Sequence, residues 1–336
     1  MKSSSIFAKL SLGFLACGLI LSAAAAPKKV LLVTVTTEFR HSSIATAEKI
    51  LTQLGEESGA FTVADYARQP DIKVPQKPNA PQKPKDLAAD ADEKAQAKYK
   101  ADLTKFEAAQ EKFKADLEKW NGMQAEVKAA QASYDLALKE SLAKLSPDNL
   151  KKFDAVIFAN TTGNLPLPDK QGFIDWVKNG GAFIAMHSGS DTFHPFKPYI
   201  EMLGGEFETH QAQVSVDAIN RDKNHPATRH LGDTFTVFDE IYIIKSYDKT
   251  KVHELLSLDA HPNSKMPGHY AIAWCKEFGQ GKVFYTSLGH REDVWDPTVP
   301  NRKTNSKEVA EAYDKHILGG IKWALGLEKG DATPGN

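Results

Sequence analysis

Gly180-Gly181-Ala182-Phe183-Ile184-Ala185-Met186-His187-Ser188-Gly189-Ser190-Asp191 is the stretch that decides how the rest of the chain is read. The glycine pair ends a helix. The apolar run Ala182 to Met186 reads as a fully buried strand, and it stops at a polar cluster headed by His187. In open α/β sheets, ligands bind outside the carboxyl ends of the strands, and His187 falls at such an end. Ser188, Gly189 and Ser190 are small enough to let backbone or ligand come close. The spacing echoes a nucleophile elbow, with histidine where serine or cysteine would stand. The competing reading is a strand end that merely carries a histidine.

Working outward, Val30 to Val35 is a β-branched run that reads as a buried parallel strand. Thr36 to His41 form the loop after it. Ser42 or Ser43 caps a helix through Leu54, which Gly55 is expected to end, and Phe61 to Asp65 is a short second strand. Asp154 to Asn160 resumes the sheet, and Pro168 to Asn179 is helical with Phe173, Trp176 and Val177 on one face. Strands near 30, 61, 154 and 182 alternate with helices, which predicts an α/β fold with a doubly wound, mostly parallel sheet. After 206 strands crowd together without helices between them, so a more antiparallel extension is expected there. A last helix spans Ser306 to Leu325.

Two segments interrupt this pattern. Residues 68–86 carry proline at 70, 75, 78, 81 and 84 and read as an extended, semi-rigid linker. Residues 87–145 form a helical insertion. In it Tyr99, Leu103, Phe106, Gln110, Phe113, Leu117 and Trp120 step by four and three, a coiled-coil-like heptad seam. Asn121-Gly122 is either the turn of a helical hairpin or a passing feature of one long helix. The α/β domain is therefore discontinuous, over residues 27–67 and 146–328, and the insertion is a candidate arm for self-association or protein docking.

Of 336 residues 25% are charged and 41% hydrophobic, and the net charge of -1 provides no electrostatic basis for binding nucleic acid or an anionic membrane. Residues 1–26 read as a signal peptide: Lys2 and Lys9 ahead of an apolar Leu10 to Leu21, then small residues to Ala26. That apolar run is too short for a comfortable span, so export to the periplasm or beyond is expected, with no transmembrane span in the mature chain. An alternative reads Phe14 to Cys17 as a lipoprotein box that anchors the chain at Cys17. Cleavage leaves Cys275 as the one mature cysteine, so no internal disulfide forms, and its strand-like setting suits a small buried hydrophobe.

Polar residues gather at three strand ends: Glu38 to His41, His187 to Asp191, and Gly289 to Glu292. His210 and Asp239-Glu240 are candidates from the extension. Convergence of histidine and carboxylate at one sheet edge is an active-site hypothesis. His187, Glu240 and His290 are the candidate catalytic residues, because histidine titrates near neutral pH and a carboxylate partner orients it. Arg40, His41, Ser188, Asp191, His210, Asp239, Tyr242 and Arg291 are candidates for binding substrate. His187, His210, His290 and Glu240 are also ligand types for zinc or a similar divalent ion. They lack any H-x-x-x-H pair, so no cofactor follows from spacing. The remaining histidines, His194 among them, read as surface or turn residues.

The ordered motifs resemble those of the ThuA-like (trehalose utilisation) family, within the class I glutamine amidotransferase-like superfamily. The resemblance rests on Gly180 to Ser188, Leu203-Gly204-Gly205-Glu206-Phe207 through His210, His225-Pro226, Asp239 to Tyr242, and Gly279 to His290. It covers residues 28–66 and 150–326 and leaves the heptad insertion out. It implies a flavodoxin-like sandwich with His187 at the elbow position that holds cysteine in amidotransferases. Imidazole cannot perform the acyl-thioester chemistry, so a glutaminase is disfavoured. The family's association with sugar catabolism implies a carbohydrate or keto-glycoside ligand, acted on by hydrolysis or by elimination after proton abstraction beside a keto group. A non-enzymatic alternative is a sugar-binding or envelope scaffold module that docks through its helical insertion.

Overall fold

The computed structural model describes residues 26–300 and 304–335. The expected leader, including Cys17, lies outside the described residues apart from Ala26. Strand β1 (Lys28–Val33), helix α1 (Ile44–Ser58) and strand β2 (Phe61–Ala67) make a first βαβ unit. The insertion follows as α2 (Glu93–Gly122) and α3 (Gln124–Leu142), and the short α4 (Pro147–Leu150) leads back into β3 (Ala155–Ala159). Next come α5 (Lys170–Lys178), β4 (Ala182–Met186) and α6 (Lys197–Leu203). Strands β5 (Glu206–His210), β6 (Val214–Asn220), β7 (Thr234–Asp239), β8 (Tyr242–Lys245), β9 (His253–Ala260), β10 (Pro267–Phe278) and β11 (Gly281–Thr286) precede α7 (Glu292–Trp295) and α8 (Lys307–Ala324).

Among the described residues one sheet of nine strands runs β2-β1-β3-β4-β11-β10-β9-β6-β7, and β5 pairs β8 apart from it. The first five strands are parallel, and every pairing from β11 onward is antiparallel. The sheet is thus mixed, with the expected parallel core and antiparallel extension. Strand β4 sits between β3 and β11 with all five residues buried. Its alternate side chains feed two cores. Ile184 and Met186 pack with Ile50 and Leu51 of α1 and Ile317 and Ile321 of α8. Phe183 and Ala185 pack with Phe173 and Val177 of α5 and Tyr199 of α6. Burying an aromatic side chain of this kind contributes about 1.5–3 kcal/mol, and Phe158→Ala, in the second core, would cost about 3–5 kcal/mol.

One expected boundary moves. Helix α1 passes Gly55 and ends at Gly59, whose φ of 63° is left-handed and whose N–H donates to the Gly55 carbonyl. Gly55 has a packing role instead, since a Cβ there would lie 2.8 Å from the Phe61 ring.

Helices α2 and α3 meet at Met123, whose φ of -96° and ψ of 15° interrupt the helical ladder. One such residue is shorter than the two to five that an αα-hairpin loop needs, so the pair continues as one bent rod. The proline-rich segment lies along it. The Gln69 amide donates to the Tyr134 hydroxyl, Lys77 stands 5.9 Å from the Trp120 ring, and Tyr99 O–H donates to Asp86 at 3.0 Å. Gln69 to Asp86 spans ~53 Å as polyproline II, and Tyr99 to Tyr134 spans ~53 Å as helix. The two lengths agree, as an extended strand antiparallel to a single rod requires. At its base Leu138, Leu142 and Leu145 enter the second core, and Lys144 pairs with Asp65 at 2.7 Å.

Candidate active site

Where β4 ends, His187 takes a φ of 45°, a left-handed conformation that costs a non-glycine residue about 1–3 kcal/mol. Neighbouring β11 holds it there. The Tyr285 hydroxyl donates to the His187 carbonyl at 2.9 Å, and His187 Nδ1 lies 2.8 Å from the Ser287 carbonyl. A carbonyl only accepts, so Nδ1 carries the proton and Nε2 presents a lone pair to the site. The Tyr242 ring lies 4.1 Å from the His187 ring and covers it.

Around Nε2 the chain assembles His41, His290 and Glu240. One ligand atom from each of the four residues lies within 4.8 Å of the others. His290 Nδ1 is 3.2 Å from His187 Nε2 and 3.1 Å from Glu240 Oε2. His41 stands edge-on to both imidazoles, with ring centroids 4.7 and 5.2 Å away, and its Nδ1 is 3.2 Å from Ser188 Oγ. His210 approaches from outside, with Nδ1 3.0 Å from the other Glu240 oxygen. Three strand ends supply the set: β1 through its following loop, β4, and β11. Strand β7 adds Glu240 just beyond its end.

Burial holds His187 well below the usual histidine range, and it takes His41 down to about 4, with His290 adding to the effect. Both imidazoles are neutral at pH 7, so the 3.7 Å approach of His187 Nε2 to Glu240 is not an ion pair. Neutral imidazoles are the form that binds metal ions. Asp239 is fully buried, and burial raises it to about 6 although it accepts from the Gly289 N–H at 2.7 Å and the Arg291 N–H at 3.1 Å. Those two bonds bracket His290, so Asp239 positions its loop.

The other expected binding residues fall in different places. Arg291 is buried and makes a bidentate pair with Asp293, both bonds at 2.8 Å, so its guanidinium is engaged away from the cluster. Arg40 Nη1 donates to the Thr34 carbonyl at 2.8 Å, and the side chain lines a separate cavity. Asp191 bonds His194 at 2.7 Å, and His194 reaches Glu206 of β5 at 2.5 Å. His194, read from sequence as a surface residue, thus ties β5 to the turn that carries His187. Asn160 at the end of β3 also serves this edge, with Nδ2 donating to the Gly289 carbonyl at 3.0 Å. Neither residue stands in a motif that marks it. Cys275 is buried and its thiol is pushed well up by burial, so it stays protonated.

The donor set fits a divalent ion of the zinc type. His41, His187, His290 and Glu240 offer three imidazole nitrogens and a carboxylate, and His187 is oriented through its second nitrogen by a backbone carbonyl.

An α/β sheet with a parallel core, an antiparallel extension and a buried histidine–carboxylate cluster at its carboxyl edge defines the class. The family model for ThuA, described as trehalose utilisation, matches residues 103–324. The chain belongs to this family. The match begins within α2, and the first βαβ unit lies outside it although it completes the same sheet. Among solved structures, a ThuA-like protein from Bacteroides uniformis ATCC 8492 superposes with a TM-score of 0.54 at 15% identity, over 91% of this chain and 95% of that one. A ThuA-like protein from Parabacteroides merdae ATCC 43184 gives 0.52 at 15% identity, over 89% and 90%. At that identity both speak to the fold. No curated protein matches the chain.

Proposed function

We propose that the chain is an exported carbohydrate-active enzyme whose His/Glu cluster cleaves a sugar or keto-glycoside by acid–base chemistry with help from a divalent ion. The observation that carries this reading is the convergence of four ligand atoms within 4.8 Å at the carboxyl edge of the sheet. His41, His187 and Glu240 would hold the ion, which would supply Lewis acidity to an oxygen of the substrate, and His290 would keep its lone pair for proton transfer. His290 is the more exposed of the two candidate proton carriers, at 18% against 0% for His187. In a keto-glycoside, removal of the proton on the carbon beside the keto group lets the glycosidic oxygen depart from the next carbon. His290 is the group placed to take up that proton, and Glu240, 3.1 Å away, steadies the imidazolium that forms. The departing oxygen then receives a proton from the imidazolium.

Turnover of a 3-keto-glycoside by the mature protein tests this. His290→Ala and Glu240→Gln should each lower kcat/KM by about 10²-fold or more. An unchanged rate in either variant sinks the assignment. The second reading, an envelope scaffold docking through the insertion, is favoured by α2, which fully buries none of its residues. It would be preferred if no sugar is turned over and a partner binds only when residues 87–145 are present.

A further inference from the structure

The loop after β1 faces two ways. His41 enters the cluster. Arg40, next to it, lines a cavity of about 590 Å³ whose far wall is the proline-rich strand and α3 of the insertion. A volume of this size suits a small-molecule site. The wall is fixed: the Thr36 N–H donates to Gln69 Oε1 at 2.8 Å, and the Gln69 amide donates to the Tyr134 hydroxyl. The Tyr134 O–H hydrogen is then left to donate elsewhere. Among the described residues no carboxylate lies within ion-pair distance of the exposed Arg40, whose one hydrogen bond there goes to the Thr34 carbonyl.

The chemistry of the cavity selects its ligand. Arg40 and Tyr134 donate, while Glu38 and Asp135 accept. One cation against two carboxylates disfavours phosphate or any other polyanion. Donors and acceptors together, beside the apolar Leu138, suit the hydroxyls and flat faces of an uncharged sugar. Phe39 lies in the same loop, between Glu38 and Arg40 of the cavity lining in sequence and against His41 of the cluster in space. It is 66% exposed, its ring is 4.8 Å from His41, and its carbonyl is held by the Thr162 hydroxyl at 2.8 Å. An exposed aromatic ring beside a polar cluster offers a flat apolar face on which a sugar ring can stack.

We infer that this cavity is a distal sugar subsite. It takes an uncharged sugar unit further along a glycoside whose reacting unit lies at the histidine cluster, with Phe39 as the platform between them. The inference rests on reading the cluster as carbohydrate-active. It also assigns the insertion a task, which is to build the outer wall of the binding cleft. The substrate is accordingly an oligosaccharide or a glycoside with a sugar-sized aglycone, rather than a free monosaccharide.

Calorimetric titration of the mature protein with maltose, maltotetraose, cellobiose and cellotetraose tests it. In at least one series the tetraose should bind about tenfold more tightly than its disaccharide, a difference of ~1.4 kcal/mol. Arg40→Met and Phe39→Ala should each reduce that gain to about twofold or less while the melting temperature holds. His290→Ala should keep the gain, because the subsite is separate from the reacting end. Equal affinity for short and long sugars, no binding of either, or a length gain that survives both substitutions would overturn the inference. Length-dependent binding in a protein inactive on keto-glycosides would instead leave the subsite standing and reject the proposed reaction.

Discussion

His316 of α8 makes acid stability calculable. It is fully buried, its Nδ1–H donates to the Ala227 carbonyl at 2.8 Å, and its Nε2 has no hydrogen-bond partner among the described residues. Phe284 and Tyr313 flank the ring, with centroids 5.4 and 6.3 Å away. Burial takes it from 6.5 down to about 3, so the folded state binds this proton far more weakly than the unfolded chain. The stabilisation is therefore present above pH 6.5 and is lost as pH falls toward 3. Moving from pH 7 to 4.5 crosses about two units of that window, or about 2.7 kcal/mol at ~1.36 kcal/mol per unit. His316→Leu removes the titration. It also leaves the Ala227 carbonyl without its donor, at about 1 kcal/mol at either pH. Urea unfolding followed by fluorescence of the buried Trp274, Trp295 and Trp323 gives both stabilities at both pH values. The wild type should lose about 2.7 kcal/mol more than the variant on acidification, and this double difference cancels the constant term. Parallel losses, within about 0.5 kcal/mol, would show that His316 is not held neutral and would refute the reasoning.

Gly289 precedes His290 at a φ of 113°, and a Cβ there would lie 2.6 Å from the Tyr313 hydroxyl and 3.0 Å from Trp295. Gly289→Ala should cost about 3 kcal/mol, roughly 8 °C in Tm, and displace His290; a Tm within about 2 °C of wild type would contradict this. His194 titrates in the opposite direction to His316. Burial opposes its charge, but hydrogen bonds to Glu206 and Asp191 win, so its value is raised above 6.5. Its contribution is then complete below pH 6.5 and is lost as pH rises through the folded value. Wild type should lose stability relative to His194→Gln between pH 6.5 and 9, read from urea midpoints; identical slopes would show that the bridge is not charged.

Much of the fold was legible because parallel strands are buried on both faces and read as apolar runs such as Val30 to Val35 and Ala182 to Met186. His187 and His290 were visible for the same reason, as polar residues where such runs stop. Which histidine completes the cluster was not visible. His41 takes the place expected for His210, and that choice depends on how the loop after β1 folds over the sheet edge. The tautomer of His187 rests on a backbone carbonyl, Ser287 O, which no side-chain motif marks. Arg291 looked available because Asp293, two residues on, is equally consistent with a surface pair or a buried clamp. In the insertion the heptad survives Asn121-Gly122 in either geometry. What separates a rod from a hairpin is Met123 and the strand beside it, which lie outside the heptad pattern.

The most direct measurement is elemental analysis of the mature protein, purified without chelators, beside His187→Ala prepared in the same way. The cluster predicts about one divalent ion per wild-type chain and a loss of at least tenfold in the variant, because the His187 ligand and its fixed lone pair are gone. Metal well below one ion per chain in the wild type, or equal metal in both proteins, would contradict the account of the site.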